Sequence, residues 1–311
     1  MNTQSNAIPE SPLGSQAIAP AEISWTRRMY WSVRRELWEN RSIYIAPLAV
    51  AALFLFGFLI RTIGLPDKMR ALSALDPAHQ REAIAKLYDL AAGLIMATTF
   101  VIGVIYSLDA LYGERRDRSI LFWKSLPVSD FTTVLSKATI PIVILPLVTF
   151  AITFATQFIM LLLSGLALLW SGPSVATIWT QVSFSHMWLM LLYHLVTVHA
   201  LWYAPIYAWL LLVSAWARRA PFLWAGLPLL AIGLVESIAF NTSHFVAMLQ
   251  SRISGGAEGS NPFIAGNMSM EPLTHLAPGK FLISPGLWIG LAVAAAFLAA
   301  AARLRRYRGP I

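Results

Sequence analysis

The chain has 311 residues, 57% of them hydrophobic and only 12% charged, with a net charge of +8 and a mean hydropathy of +0.63. Soluble domains carry roughly twice that charged fraction, so the composition excludes an ordinary soluble protein and implies an integral membrane protein. The chain contains no cysteine, which also excludes disulfides, thiol catalysis and thiolate metal sites.

Residues 1–22 are polar and lack the apolar core of a signal peptide. They read as a disordered tail, and the first apolar span is expected to act as an uncleaved signal anchor. In segment 23–41 Trp25, Met29, Val33 and Leu37 recur every four residues, with Arg27, Arg28, Arg34, Arg35 and Glu39 on the other side. This pattern predicts an amphipathic helix lying in the membrane interface. Trp31 and Trp38 fall in its polar arc, which leaves open a helix packed on its own protein.

Spanning the hydrocarbon core takes about 20 mostly apolar residues. Six runs qualify: Ser42–Thr62, Leu90–Tyr112, Val134–Leu169, Phe184–Ala217, Phe222–Phe240 and Ile283–Ala302. They make one six-helix domain over 42–302, an all-α polytopic fold, followed by a basic tail at 303–311. The third and fourth runs exceed a simple perpendicular span and should tilt or project. Pro47, Pro141, Pro146, Pro205 and Pro228 lie inside spans, where each frees a carbonyl four residues earlier and invites a kink.

Among the connections, 63–89 should hold a helix from Asp76-Pro77 to Tyr88, with Asp76 as its cap. Ser171, Gly172, Pro173 and Ser174 form a turn. In the long loop 241–282, SHFVAMLQSRI can form a short amphipathic helix and SGGAEGSNPF is a breaker. A loop of that length is usually functional or disordered, and partial order is expected here.

The basic residues do not point to nucleic acid, because they gather in alternate loops. Sixteen fall on the side that holds both termini, 113–130 and Arg218-Arg219, and seven on the other. Positive loops stay cytoplasmic, so both termini are expected inside.

Chemistry is sparse. None of the five lysines follows a phosphate-cradling glycine loop, and neither HExxH nor GxSxG is present. His194 and His199 are five apart, which places them about 140° apart around an α-helix. With His186 they read as packed or interfacial histidines rather than metal ligands. Thr149, Thr153, Thr156 and Gln157 give the third span a polar stripe that either lines a path or pairs helices. Glu236, the one acid inside an apolar run, reads as a headgroup-level residue or as a polar contact near a path or subunit interface.

The segment 113–130, GERRDRSILFWKSLPVSD, combines charge with apolar bulk. Arg115 to Ser125 is predicted to form a short helix stopped by Pro127, with Phe122 and Leu126 on one face and Trp123 beside it. Such a helix can rest on the interface while its other side enters a pocket of a partner.

Glu114-Arg115, Ser119, Ile120, Leu121, Leu126, Pro127, Val128 and Ser129 form a pattern that resembles the first cytoplasmic loop of ABC-2 type ABC-transporter permeases. Arg34 to Pro47 likewise resembles that family's interfacial helix entering its first membrane helix. Ser119-Ile120 departs from the family's more usual Gly-Thr, and Trp123 is bulkier than typical.

The resemblance implies a transmembrane exporter subunit in a bacterial cytoplasmic (inner) membrane, working as a dimer with a second copy or a paralogue. It implies that 113–130 holds a coupling helix docking into a separate ATPase subunit. Glu114, Arg115, Arg116, Arg118, Ser119, Ile120, Leu121, Phe122, Trp123, Lys124, Leu126 and Pro127 would make that contact. ATP-Mg would be held by the partner, with no cofactor or metal on this chain. Gln157 and Glu236 are the candidate path or interface residues. Two other readings stay open: an intramembrane enzyme, hydrolase or lipid-modifying transferase, using Glu236 with His244, and a non-transporting membrane scaffold.

Overall fold

The structure, a computed structural model, describes residues 24–65, 67, 70, 76–125, 128–169, 184–253 and 278–309. The expected tail 1–22, the turn at 171–174, the breaker 254–263, and Leu126 and Pro127 lie outside the described residues.

Every regular element among the described residues is helical. Helix α1 covers Trp25–Glu39, α2 Ser42–Thr62 and α3 Pro77–Asp109. Two short helices follow, α4 at Tyr112–Arg116 and α5 at Ile120–Ser125. Helix α6, Asp130–Thr139, passes through a π-helical turn at Ile140–Ile144 into α7, Leu145–Leu169. Helix α8, Phe184–His194, continues as a π-helix over Leu195–Trp202, and α9 resumes at Ala204–Trp216. The remaining helices are α10 (Pro221–Phe240), α11 (His244–Ile253), α12 (Pro278–Ile283) and α13 (Pro285–Tyr307). Among the described residues six segments are long and apolar enough to cross a membrane, so the chain is a multi-pass membrane protein.

Several expected boundaries shift for local reasons. The helix expected from Pro77 to Tyr88 and the second apolar run fuse into α3, whose 33 residues reach about 50 Å at 1.5 Å per residue. Pro77 opens it, as a residue whose missing N–H costs nothing in the first turn. Asp76 does not cap the backbone; its carboxylate pairs with His79 instead, which holds it below the usual carboxylate range.

Pro47 and Pro228 lie inside unbroken helices, whereas Pro141 and Pro205 lie where the ladder breaks. Pro141 lies in the first π-helical turn, where an α-helix would need its missing N–H. The fourth run, expected as one stretch to Ala217, divides at Tyr203, whose N–H donates to Val198 O at 3.0 Å. Pro205 cannot complete the next α-helical bond, and α9 restarts around it. Because π-helical bonds connect residues five apart, the π segment also corrects the expectation for the two histidines. Their ring centroids lie 6.2 Å apart, edge to face, instead of being turned about 140° from one another as on an α-helix.

The core forms where these helices meet. Near the C-terminal end of α2, Phe58 packs with Ile84, Tyr88, Met160, Leu161 and Phe184. Helices α9 and α13 approach through small residues, with Ala204, Ala208 and Ala294 in one cluster and Ala215 and Ala301 in another. Small side chains let membrane helices make close backbone contact where no hydrophobic effect drives them together. Of the polar stripe of α7, Gln157 pairs helices, donating to Tyr88 O at 3.2 Å and accepting from Trp188 Nε1 at 3.0 Å, while Thr149 and Thr156 donate to carbonyls of their own helix. Helix α10 faces outward, with Leu227, Leu230, Leu234 and Ile238 exposed.

Candidate functional site

The most unusual chemistry lies at the basic end of the bundle, beneath segment 113–130. Glu36 of α1 is 1% exposed and Lys137 of α6 is 3% exposed. Lys137 Nζ sits 2.9 Å from Glu36 Oε1 and 3.1 Å from Glu114 Oε1. Arg35 Nη2 lies 2.6 Å from Glu36 Oε1 and 3.6 Å from Glu114 Oε1. Arg305, from the far end of α13, reaches Glu114 Oε2 at 3.0 Å and also pairs with Asp130. Tyr106 of α3 donates to Glu36 Oε2 at 2.9 Å.

Three carboxylates and three cations from four separate stretches of chain therefore neutralise one another, Glu36, Glu114, Lys137 and Arg305 buried and Arg35 and Asp130 half-buried. Burial drives the Glu36 carboxyl up, but Lys137 and Arg35 beside it outweigh that and hold it below the usual carboxylate range. Breaking one member of such a buried set costs about 3–5 kcal/mol, since it strands a charge. The network thus fixes α1, the 113–130 loop, α6 and α13 in one arrangement.

The loop carries further ties. Arg115 is buried and donates to Ala215 O at 2.7 Å and Ala217 O at 3.0 Å. Ser214 Oγ accepts from the N–H groups of Leu111 and Tyr112. Lys124 Nζ donates to Arg306 O and Arg308 O, and Arg308 donates to Trp216 O at 2.8 Å. The end of α13 is stitched to the loop on one side and to α9 on the other.

The expected single helix Arg115–Ser125 is two helices. Arg118 adopts φ 58° between them, a left-handed conformation that ends α4, and Ser119 Oγ donates to Glu114 O at 3.4 Å. The break sorts the residues expected to meet a partner. Glu114, Arg115 and Ile120 turn inward and are buried, so their role is corrected from contact to bracing. Leu121 and Phe122 are each 59% exposed. Arg116, Arg118 and Lys124 are exposed, and Ser119 is half-buried. Trp123 is half-buried under the Arg35 guanidinium, 3.7 Å from its ring centroid.

Helix α1 is corrected in part. Val33 and Leu37 pack on a cluster of the chain's own residues, Ile43, Tyr106, Ile140 and Leu145. Trp25, Tyr30, Trp31 and Trp38 stay exposed and Met29 is half-buried. Sequence reasoning missed Glu36, although the signal exists. At 100° per residue it falls between Trp25 and Met29, inside the apolar stripe, where an acid requires a buried partner.

Glu236 makes a local contact at the end of α10. Asn241 at φ 50° ends α10, and the chain folds back into α11. Glu236 Oε1 accepts from His244 N at 2.8 Å and Thr242 Oγ1 at 2.9 Å, and Oε2 accepts from Phe245 N at 2.8 Å. It meets the backbone of His244, so the carboxylate caps α11 and is fully engaged. Among the described residues, no group of three or more His, Asp or Glu side chains is placed to hold a metal.

Comparison with known proteins returns no match: no family model, no curated protein and no solved structure is similar to the chain.

Proposed function

We propose that the chain is the membrane subunit of an ATP-binding cassette exporter, moved by a separate ATPase through the loop 113–130. The observation that carries this reading is the contrast within that loop. An exposed apolar pair, Leu121 and Phe122, sits on a short helix whose base is held by a buried ion network. A load applied at Phe122 reaches α1, α6 and α13 without slack, because Glu114 and Arg305 cannot part without stranding charge.

The exposed cations around the pair, Arg116, Arg118 and Lys124, suit a partner pocket with an acidic rim. The missing P-loop gives the chain a reason to need that partner, which would hold the ATP-Mg. Closure of the ATPase pair would bias a dimer of these bundles between access states by population shift. In this reading the basic end is cytoplasmic, in keeping with the charge of its loops.

The test is purification of the chain from its native membrane, followed by identification of any stoichiometric companion and an ATP-hydrolysis assay. An ABC-type ATPase should accompany the wild type and be lost from Leu121→Asp/Phe122→Asp, with the folded chain still recovered. A wild-type preparation without an ATPase subunit, or one that keeps it in the double variant, overturns the reading.

A further inference from the structure

Arg252, near the end of α11, is inserted between the fourth and last membrane segments. Its guanidinium lies 4.0 Å from the Trp202 ring centroid. Nη1 donates to Trp202 O at 3.4 Å, and Nη2 donates to Gly286 O. Tyr203 Oη donates to the neighbouring Ile253 O at 3.1 Å. A Cβ at Gly290 would lie 2.7 Å from Arg252 Cζ, so the missing side chain there forms the notch that seats the guanidinium.

Two deficits remain at this place. A guanidinium has five N–H donors and a full charge, yet among the described residues Arg252 meets only carbonyl oxygens and a ring face. Beside it, the indole N–H of Trp202 is buried with no acceptor among the described residues. A half-buried cation with no counter-ion among the described residues, and a donor with no acceptor among them, both call for acceptor oxygens bearing negative charge.

The setting narrows the ligand. Along α13, Gly286 and Arg305 are separated by about 28 Å at 1.5 Å per residue. The notch therefore lies near the end of the bundle opposite the ion network, at headgroup depth for a hydrocarbon core about 30 Å thick. Around it α11 exposes Val246, Met248 and Ile253, and α13 exposes Trp288 and Ile289. We propose that Arg252, with Trp202, forms a binding site for an oxyanion carried at the membrane surface, a phosphate or carboxylate borne on an apolar body. This site does not depend on the transport reading.

The experiment uses the full chain purified in a neutral detergent and measures binding of phosphatidylglycerol, phosphatidylcholine and inorganic phosphate separately. Phosphatidylglycerol should bind in preference to phosphatidylcholine, and Arg252→Gln should weaken it roughly tenfold or more, as loss of a charge-assisted contact does. Gly290→Ala, which keeps the charge but fills the notch, should weaken it similarly and serves if Arg252→Gln does not fold. Arg61→Gln, an exposed cation at the end of α2, should leave binding unchanged. Arg252-dependent binding of inorganic phosphate alone would support the same site and assign it a soluble anion. The proposal is overturned if the wild type binds neither phosphatidylglycerol nor inorganic phosphate, or if both site variants bind as the wild type does. An equal loss in Arg61→Gln also overturns it. A lowered melting temperature with unchanged binding would reduce Arg252 to a latch holding α11 and equally overturn it.

Discussion

Glu36 and Lys137, 101 positions apart, meet at 2.9 Å inside the protein, and each is the other's main reason for being there. Lys137 alone at that depth would be an uncompensated charge. Lys137→Met should therefore destabilise the chain by about 3–5 kcal/mol, leaving Glu36 and Glu114 facing one another. Glu36→Gln added to Lys137→Met should recover part of that loss, with a coupling of about 0.5–3 kcal/mol. Melting curves of the four proteins in detergent measure it; strictly additive losses would show that the contact carries no coupling.

The same pair sets a pH dependence. The folded Glu36 carboxyl lies below its ordinary value of 4.5, so its contribution is fully present above that value. It is lost only as pH falls through the lower folded value. Glu39 has the opposite sign: burial raises its carboxyl despite Arg35 nearby, so ionisation there costs stability, and acid relieves the cost. From neutrality down to 4.5, α1 should stay docked, as read by protease access to its arginines. Detachment should begin below that, and Glu36→Gln should remove this acid step.

Much of the fold was legible because apolar runs announce membrane spans regardless of partners. Pro141 and Pro205 announced interruptions too, but not their form. The π-helical windings depend on which carbonyl the displaced N–H groups find, and that is decided by packing. Glu36 was readable on the helical wheel, yet its partners Lys137 and Tyr106 lie far along the chain, and periodicity carries no information about them. Arg305 looked like one more basic tail residue; only the length of α13, which carries it back to Glu114 and Asp130, makes it internal.

Adjacent residues of α5 separate bracing from display. Ile120→Ala removes a side chain that is 1% exposed and should cost about 2–5 kcal/mol. Leu121→Ala, at a position 59% exposed, should change stability by less than about 0.5 kcal/mol. Melting temperatures check both. Equal losses would mean that Leu121 is covered in the purified protein.

Arg118 holds φ 58°, and among the described residues its exposed side chain makes no hydrogen bond. A left-handed L-residue costs roughly 1–2 kcal/mol, and glycine escapes that cost but brings more freedom to the unfolded chain. Arg118→Gly should thus raise stability by up to about 1 kcal/mol, whereas β-branched Arg118→Val should lower it. A drop in melting temperature for the glycine variant would mean that the turn is held by something other than its backbone.

Glu236 separates a cap from a catalyst. Its two carboxylate oxygens accept from Thr242, His244 and Phe245, which anchors the first turn of α11 to the end of α10. Glu236→Ala should free these donors and lower the stability of α11, as loss of a helix cap does. The damage should stay local, seen as faster amide exchange over 242–253 with the ion network unaffected. Glu236→Gln keeps an acceptor oxygen and should retain a good part of the protection. A catalytic carboxylate would behave differently: Glu236→Gln would abolish activity while leaving exchange in α11 unchanged. The paired exchange and activity measurements on that one variant therefore decide between the two roles.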